Sequence, residues 1–313
     1  MTVSPIDRNR LPSISEGVSL FASREWSELY VDHIQAYGLF DAAEQLQGSF
    51  ILFHKQKLGL GYAITAPFAP HIGLHYKQPS EKRVSQQGHS KDVHRAIADF
   101  LKARKEILIE LALSTEEKDS QPYVWSDFEV KPRHTYLIQL DRTADELLAA
   151  MSPERRKNIR KAQAEGLKLC RTEDVTRCLG LLMKTVERQD ISLDRGILEQ
   201  LLKSPSLNSN RAMYICEAGG KDLAASLVVW DKNRAYYLIG GYETDGAHQG
   251  AGTLNLWQAI LDAKERGNSM FDFEGSQLPE VERYFRGFGG ELHTFFQLSR
   301  ASSLGKLAKR IKG

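Results

Sequence analysis

The chain has 313 residues, of which 42% are hydrophobic and 26% charged, and its formal net charge is +2. This length fits two domains, and the composition excludes a disordered chain. A charge so close to neutral does not call for a nucleic acid or a membrane as partner, and we expect no DNA partner. Cys170, Cys178 and Cys216 show no metal-binding spacing, which favours a reducing compartment. With no long apolar run and no signal segment, we expect a cytoplasmic protein.

The first half of the chain contains helical and alternating apolar patterns in a fixed order. In chain order, the predicted elements are a helix over 26–38, a hairpin over 48–66, a helix over 90–105 capped by Ser90, a strand over 106–114, and two strands around Pro132. The predicted order of this half is helix, antiparallel strands, helix, strand, short helix and strand.

The second half repeats that order. The predicted helices cover 152–166, 175–189, 195–203, 252–267 and 279–285, and the predicted strands cover 211–218, 223–230, 235–243, 269–274 and 292–299. We therefore predict an α+β protein with an internal duplication, divided into residues 1–148 and 149–313. Each half is expected to be a mixed, mostly antiparallel sheet flanked by helices.

A glycine-containing turn precedes the helix predicted at 252–267. Gln249, Gly250, Ala251, Gly252 and Thr253 stand where free backbone N–H groups and the positive end of the helix dipole can hold a pyrophosphate. A plain tight turn with a glycine cap is the structural alternative. No comparable glycine turn precedes the helix at Ser90, so a donor site is expected only in the second half.

The order of these elements, with a glycine turn before the main helix, resembles the GNAT N-acyltransferase fold. The stretches "SPERRKNIRKAQAEGLKL", "FDFEGS" and "YFRGFGG" resemble the FemAB-like tandem GNAT proteins and their BioF2-like acetyltransferase relatives. This resemblance implies that the fourth and fifth strands of the second half separate around an acyl thioester. It also implies acetyl-CoA or another acyl-CoA as co-substrate and an amine as acceptor. The acceptor is expected to be a small molecule or a peptidoglycan precursor.

The same resemblance leaves the donor open. The coenzyme A motif of the GNAT fold has a small residue where this chain has Leu254, and some FemAB proteins use aminoacyl-tRNA instead. Three hypotheses follow: an acyl-CoA-dependent N-acyltransferase, an aminoacyl-tRNA-dependent transferase of FemAB type, and a non-catalytic binding protein with this fold. Transfer RNA is a partner only under the second hypothesis.

Candidate catalytic residues lie in and after the strand at 269–274. Its alternation predicts that Asp272 and Glu274 share one face, and a buried carboxylate there could accept a proton from an attacking amine. Glu274 is the preferred base. The resemblance implies that Tyr284, in the next short helix, protonates the leaving thiolate. Structural duties for Asp272, such as pairing with an arginine, and a core position for Tyr284 are the alternatives.

Basic residues supply the candidate substrate contacts. Arg156 and Arg160 lie one turn apart on the helix at 152–166, and Arg286 follows Tyr284; all three could hold phosphates or an acidic acceptor, although solvated surface is the alternative. The basic tail after Ser303 could make weak contact with an anionic membrane. The histidines show no zinc-site spacing, so no metal is expected.

Overall fold

The computed structural model describes residues 1–188, 195–243, 248–275, 277–303 and 305. The chain forms two compact units. Unit 1 contains Met1–Arg133 and the described residues from Thr294 onward, and unit 2 contains His134–His293.

Unit 1 is built on a sheet with the order β1-β2-β3-β4-β6-β13. The strands are β1 Thr2–Ile6, β2 Ile34–Phe40, β3 Leu46–Lys57, β4 Leu60–Ile64, β6 Leu108–Ala112 and β13 Glu291–Ala301. A short strand, β5 His75–Tyr76, pairs with β3 outside this order. Helices α1 Arg24–Ser27, α2 Arg83–Lys102 and α3 Gln121–Trp125 accompany them, with short 3₁₀ turns at Arg8–Arg10, Ile14–Glu16, Leu20–Ala22 and Glu28–Tyr30. All neighbours are antiparallel except β4 and β6, which are parallel.

Unit 2 has a sheet with the order β7-β12-β11-β10-β9-β8. The strands are β7 Glu129–Gln139, β8 Lys168–Thr172, β9 Arg211–Ala218, β10 Lys221–Trp230, β11 Arg234–Tyr242 and β12 Met270–Asp272. The helices are α4 Ala144–Ala150, α5 Pro153–Ala164, α6 Val175–Arg188, α7 Arg195–Lys203, α8 Ala251–Glu265 and α9 Pro279–Arg286, with a 3₁₀ turn at Pro205–Leu207. Only β11 and β12 are parallel neighbours.

The two sheets have the same strand order and directions, which confirms the predicted duplication. In each unit, four antiparallel strands are followed by a parallel fifth and an antiparallel sixth. The sixth strand comes from the other half of the sequence: β13 pairs with β6 in unit 1, and residues 137–139 of β7 pair with β12 in unit 2. The units therefore divide at Arg133 and Thr294, whereas the sequence halves were predicted to divide at residue 148.

Four predicted elements differ from the structure. The helix expected over 26–38 is a strand from Ile34, because this strand is buried on both faces and has no clear alternation. A single strand, β7, passes through Pro132 where two were expected. Helix α2 begins seven residues before Ser90, at Arg83. Strand β12 ends at Asp272, so Glu274 lies beyond it.

The core of unit 2 lies between its sheet and helices α5 and α8. On α8, Leu256, Ile260 and Ala263 are fully buried at helical spacing, and Ile159 of α5 belongs to the same apolar cluster. This packing fixes the beginning of α8 against α5.

Candidate active site

A gap opens between β11 and β12 at their carboxyl ends. The two strands pair from Arg234–Met270 to Tyr236–Asp272, and there β12 ends. Strand β11 continues to Tyr242 without a partner residue on β12. This is the strand separation that the resemblance implies. Ligands of open sheets bind at such carboxyl edges, where neighbouring connections diverge.

Aromatic side chains border this gap. Phe273 stacks on Phe285 with ring centres 5.1 Å apart and lies 5.6 Å from the ring of Phe288. Tyr237 meets Phe285 edge-on at 5.8 Å, and Tyr284 meets Phe288 edge-on at 5.3 Å. Helix α9 is therefore anchored on the strand ends, and Tyr284 is held at the gap.

Helix α8 presents free donors at its beginning. Gly250 is its N-cap; the Ala251 N–H donates to the His248 carbonyl, and the Leu254 N–H donates to the Gly250 carbonyl. The backbone N–H groups of Gly252 and Thr253 find no acceptor within the described part of the chain. Two donors at the positive end of a helix dipole form a position suited to an anion.

The two glycines of the predicted donor motif have different surroundings. A Cβ on Gly250 would lie 2.4 Å from the Asn158 carbonyl oxygen and 2.9 Å from the Cβ of Ala162, so this glycine allows α5 and α8 to pack closely. A Cβ on Gly252 would meet only the Tyr284 hydroxyl, at 3.7 Å. Gly250 therefore serves packing, and Gly252 borders open space.

The remaining motif residues also differ in their exposure and packing. Gln249 is exposed and Ala251 is buried. Thr253 is buried, and its hydroxyl makes no well-formed hydrogen bond with any described residue. Leu254, the residue that departs from the GNAT motif, packs into the core of unit 2 and is 4% exposed. It therefore leaves the surface beside Gly252 unobstructed.

Tyr284 is placed beside the beginning of α8. The pKa of its phenol is raised to about 12, and burial is the main cause. The Thr253 side chain and the Arg155 charge oppose part of this rise. The Arg155 guanidinium lies over the Tyr284 ring, 4.4 Å from its centre. At neutral pH Tyr284 therefore keeps its proton and can donate it.

Arg155 is a site residue that the sequence reasoning missed. It is 7% exposed and shares the buried face of α5 with Ile159 and Ala162, one and two turns further on. Its Nε is buried without a partner among the described residues. The signal was present in the sequence, since Arg155 continues the apolar spacing of the helix, whereas Arg156 and Arg160 do not.

Asp272 is enclosed by hydrogen-bond donors. Its Oδ1 accepts from the Thr135 hydroxyl at 2.7 Å and from the Glu274 N–H at 2.8 Å, and its Oδ2 lies 3.2 Å from Nη1 of Arg234. The side chain is 3% exposed. These contacts match the structural alternative for Asp272, and we interpret it as the residue that ends β12 and sets the turn to Glu274.

Glu274 has the features of a reactive carboxylate. Its backbone is left-handed, with φ of 57°, and Gly275 follows with φ of 76°, where a Cβ would lie 2.0 Å from the His134 carbonyl oxygen. Oε1 of Glu274 is buried without a hydrogen-bond partner among the described residues. Burial, and secondarily the Asp272 charge, raises its pKa well above the usual value. A carboxylate with a buried oxygen that no described residue pairs is a functional-site candidate.

The predicted substrate-binding arginines do not gather at the gap. Nη1 of Arg156 donates to the Ala149 carbonyl at 2.9 Å and to the Met151 carbonyl, which ties it to the end of α4. Arg286 pairs with Glu282 one turn away on α9, and Arg160 is exposed. Their contact with a substrate stays a prediction. The basic tail from residue 306 lies outside the described residues.

The described residues of unit 1 form no equivalent gap between the fourth and fifth strands. Where β4 ends, the Thr65 N–H donates to the Glu110 carbonyl and its hydroxyl accepts from the Ala112 N–H, so the connection stays joined to β6. The position beside α2 and α3 holds a buried network in which His94 contacts Tyr123 at 2.9 Å and Glu117 at 2.6 Å. Paired polar groups fill this place, and the assignment of the donor site to unit 2 alone stays a prediction.

Two further observations concern the described residues only. No three or more His, Cys, Asp or Glu side chains among them are grouped to hold a metal ion. None of the helices they form has the length and the apolar character needed to cross a membrane.

Comparison with known proteins identifies the second half. Residues 153–286 match the family model of the acetyltransferase (GNAT) domain, and this segment contains the α8 turn, Glu274 and Tyr284. The chain carries a GNAT acyltransferase domain. No curated protein sequence shows significant similarity to the chain.

Three solved structures similar to this chain each cover 92% or more of it. FemX has a TM-score of 0.67 at 13% identity, with 100% of both chains covered. The C-terminal domain of a protein from Agrobacterium fabrum, assigned as a lysylphosphatidylglycerol synthetase, has a TM-score of 0.59 at 9% identity, covering 92% of this chain and 90% of that one. A tandem GNAT protein from the clavulanic acid pathway has a TM-score of 0.50 at 10% identity, covering 96% and 98%. At these identities the similarity shows the fold alone, a FemAB-like tandem GNAT fold.

The two motif glycines provide a stability test in the GNAT domain. We expect Gly250→Ala to lower the free energy of unfolding by about 1–3 kcal/mol, because its Cβ would overlap the Asn158 carbonyl. Gly252→Ala is the matched control and should be neutral, or more stable by up to about 1 kcal/mol, since alanine favours a helix and has room there. Urea denaturation measures both. Equal losses for the two variants would contradict the assigned packing.

Glu274 should make stability depend on pH. Its raised pKa means that between the ordinary glutamate pKa and the raised value the folded protein holds a proton that the unfolded chain releases. Stability contributed by this group should therefore fall as pH rises through that window. Glu274→Gln should remove that slope, whereas Glu280→Gln, at an exposed position on α9, should keep it. Thermal unfolding at a series of pH values measures the difference, and parallel curves for all three proteins would contradict the burial of the carboxyl.

Proposed function

We propose that this protein is an N-acyltransferase that moves an acyl group, an acetyl group in the simplest case, from acyl-CoA to an amine. The observation that carries the proposal is Oε1 of Glu274, which is buried just beyond the end of β12 and has no hydrogen-bond partner among the described residues. A group held in this way costs stability, and such a cost is typical of catalytic residues.

The donor would lie against α8 and in the gap beside β11. The N–H groups of Gly252 and Thr253 would hold its pyrophosphate, and the lack of a side chain at Gly252 would let it approach the backbone. The burial of Leu254 supports this arrangement, because the residue that departs from the GNAT motif points into the core.

The proposed chemistry assigns one proton transfer to each of two residues. Glu274, once ionised, accepts the proton of the amine as the new N–C bond forms. The C–S bond of the thioester breaks, and Tyr284 donates its proton to the departing thiolate. The raised pKa of Glu274 suits a base that works near neutral pH, and the pKa of about 12 keeps Tyr284 protonated until it is needed.

Coenzyme A should stabilise the protein. At 100 times its Kd, a ligand that binds only the folded state adds about 2.7 kcal/mol. We expect thermal-shift measurements with acetyl-CoA and CoA to show this effect, and Gly252→Val to abolish it while the apoprotein keeps its unfolding temperature to within a few degrees. Gly88→Val, at an open helical position in unit 1, is the control that should retain binding.

The donor alternatives give different outcomes in the same assay. A shift with an aminoacyl-tRNA and none with CoA would favour the FemAB-type transferase. No shift with either would favour a binding protein without a donor, and unchanged CoA binding by Gly252→Val would show that the donor site is misplaced.

Glu274→Gln should lower turnover by about 10²- to 10⁴-fold, the usual contribution of a general base. CoA affinity should stay within about twofold, because the amide keeps the shape of the carboxyl. In the parent enzyme the rate should rise with pH as Glu274 ionises, and this rise should be absent from the variant. Initial rates from pH 5 to 9 measure both effects. Activity within a few-fold of the parent, with the same pH profile, would leave positioning of amine and thioester as the source of catalysis.

A further inference from the structure

Arg155 is a buried positive charge without full compensation. Its side chain is 9% exposed, and the one carboxylate paired with it among the described residues is Glu154, at 3.5 Å and itself 60% exposed. Nε of Arg155 is buried and makes no hydrogen bond with any described residue. Burying a charge in this way is costly unless another group pairs with it, so its position needs a reason.

Several elements of unit 2 hold the guanidinium in place. Ile159 and Ala162 fix the same face of α5 against the core. Gly287, which closes α9, leaves the space that the side chain occupies, since a Cβ there would lie 2.9 Å from Nε of Arg155. The Tyr284 ring supports the guanidinium from one face at 4.4 Å. The position is therefore built into the fold rather than left to a mobile surface side chain.

Tyr284 connects this charge to the beginning of α8. The Arg155 guanidinium lies over the Tyr284 ring, and the Tyr284 hydroxyl lies 3.7 Å from the point where a Cβ of Gly252 would be. The N–H groups of Gly252 and Thr253, which have no acceptor among the described residues, lie in the same turn of α8. A buried cation over the Tyr284 ring and the positive end of α8 near the Tyr284 hydroxyl are thus both neighbours of one side chain, and no anion among the described residues pairs with both.

We propose that Arg155 and the N–H groups of Gly252 and Thr253 form one anion site, in which Arg155 binds a phosphate of the acyl donor. An arginine suits this role because its fork of N–H donors matches two phosphate oxygens. The identity of the donor as CoA rests on the proposed function, whereas the anion site rests on the contacts of Arg155. The role belongs to the buried Arg155, in place of the exposed Arg160 or the backbone-bound Arg156.

Calorimetric titration with two ligands tests the assignment. CoA carries phosphates, whereas pantetheine is the same thiol arm without them. We expect Arg155→Gln to weaken CoA binding by about 10- to 100-fold, the loss of one charge-assisted hydrogen bond, and to make it less sensitive to salt. Pantetheine affinity should stay within about twofold. Arg155→Lys keeps the charge and loses the fork of donors, so its CoA affinity should lie between those of the parent and Arg155→Gln. Lys157 is exposed on the same helix, and Lys157→Gln should bind CoA as the parent does.

The outcomes separate this inference from the proposed function. CoA affinity unchanged in Arg155→Gln, or CoA and pantetheine weakened equally, would overturn the role of Arg155 and leave the donor assignment intact. If Arg155→Gln fails to fold, Arg155→Lys is compared with the parent instead. Equal CoA affinity and equal salt dependence of these two proteins would overturn the phosphate-binding role of Arg155. If the parent binds no CoA, inorganic pyrophosphate is the probe. Binding of pyrophosphate that Arg155→Lys weakens would keep the anion site without a CoA donor, and no binding would remove both.

Discussion

The end of the pairing between β11 and β12 is the constraint on which the site depends. Asp272 determines where it occurs, because its carboxylate accepts hydrogen bonds from Thr135 and from the N–H of Glu274 and pairs with Arg234. These bonds close a turn where a further pair between β11 and β12 would otherwise form. Glu274 and Gly275 take left-handed backbone conformations, and Oε1 of Glu274 is left buried with no hydrogen-bond partner among the described residues. The gap and the candidate base thus have one origin.

The balance of buried polar groups distinguishes the two units. In unit 1, the buried His94 has a partner at each ring nitrogen, and Thr65 keeps the fourth and fifth strands joined. In unit 2, Glu274 and Arg155 are buried with atoms that no described residue pairs. Unpaired buried groups lower stability, and they persist where a ligand or a reaction uses them. The same topology therefore supports a filled, structural region in one unit and a gap between strands in the other.

The motif Gln-Gly-Ala-Gly shows how one pattern can have two physical causes. Gly250 is required because α5 passes against it, and Gly252 leaves room beside Tyr284. Gly287 has a third role, since it admits the side chain of Arg155. All three help to place α5, α8 and α9 around the same small volume, which explains why glycines separated by 37 residues contribute to one site.

The sequence by itself determined the duplication, the mixed sheets and the glycine turn before α8, and it marked Glu274 as a candidate base, because apolar periodicity, glycine and an acidic residue at the end of a predicted strand are local signals. Only the tertiary structure decided which arginine is buried and which partners the Asp272 carboxylate has, namely Thr135 and Arg234. It also decided that each sheet takes its sixth strand from the other half of the chain. These features depend on contacts between residues far apart in sequence: Thr135 and Asp272 are separated by more than a hundred positions. Local patterns carry no record of such pairs, so burial and hydrogen bonding in the folded chain settled them.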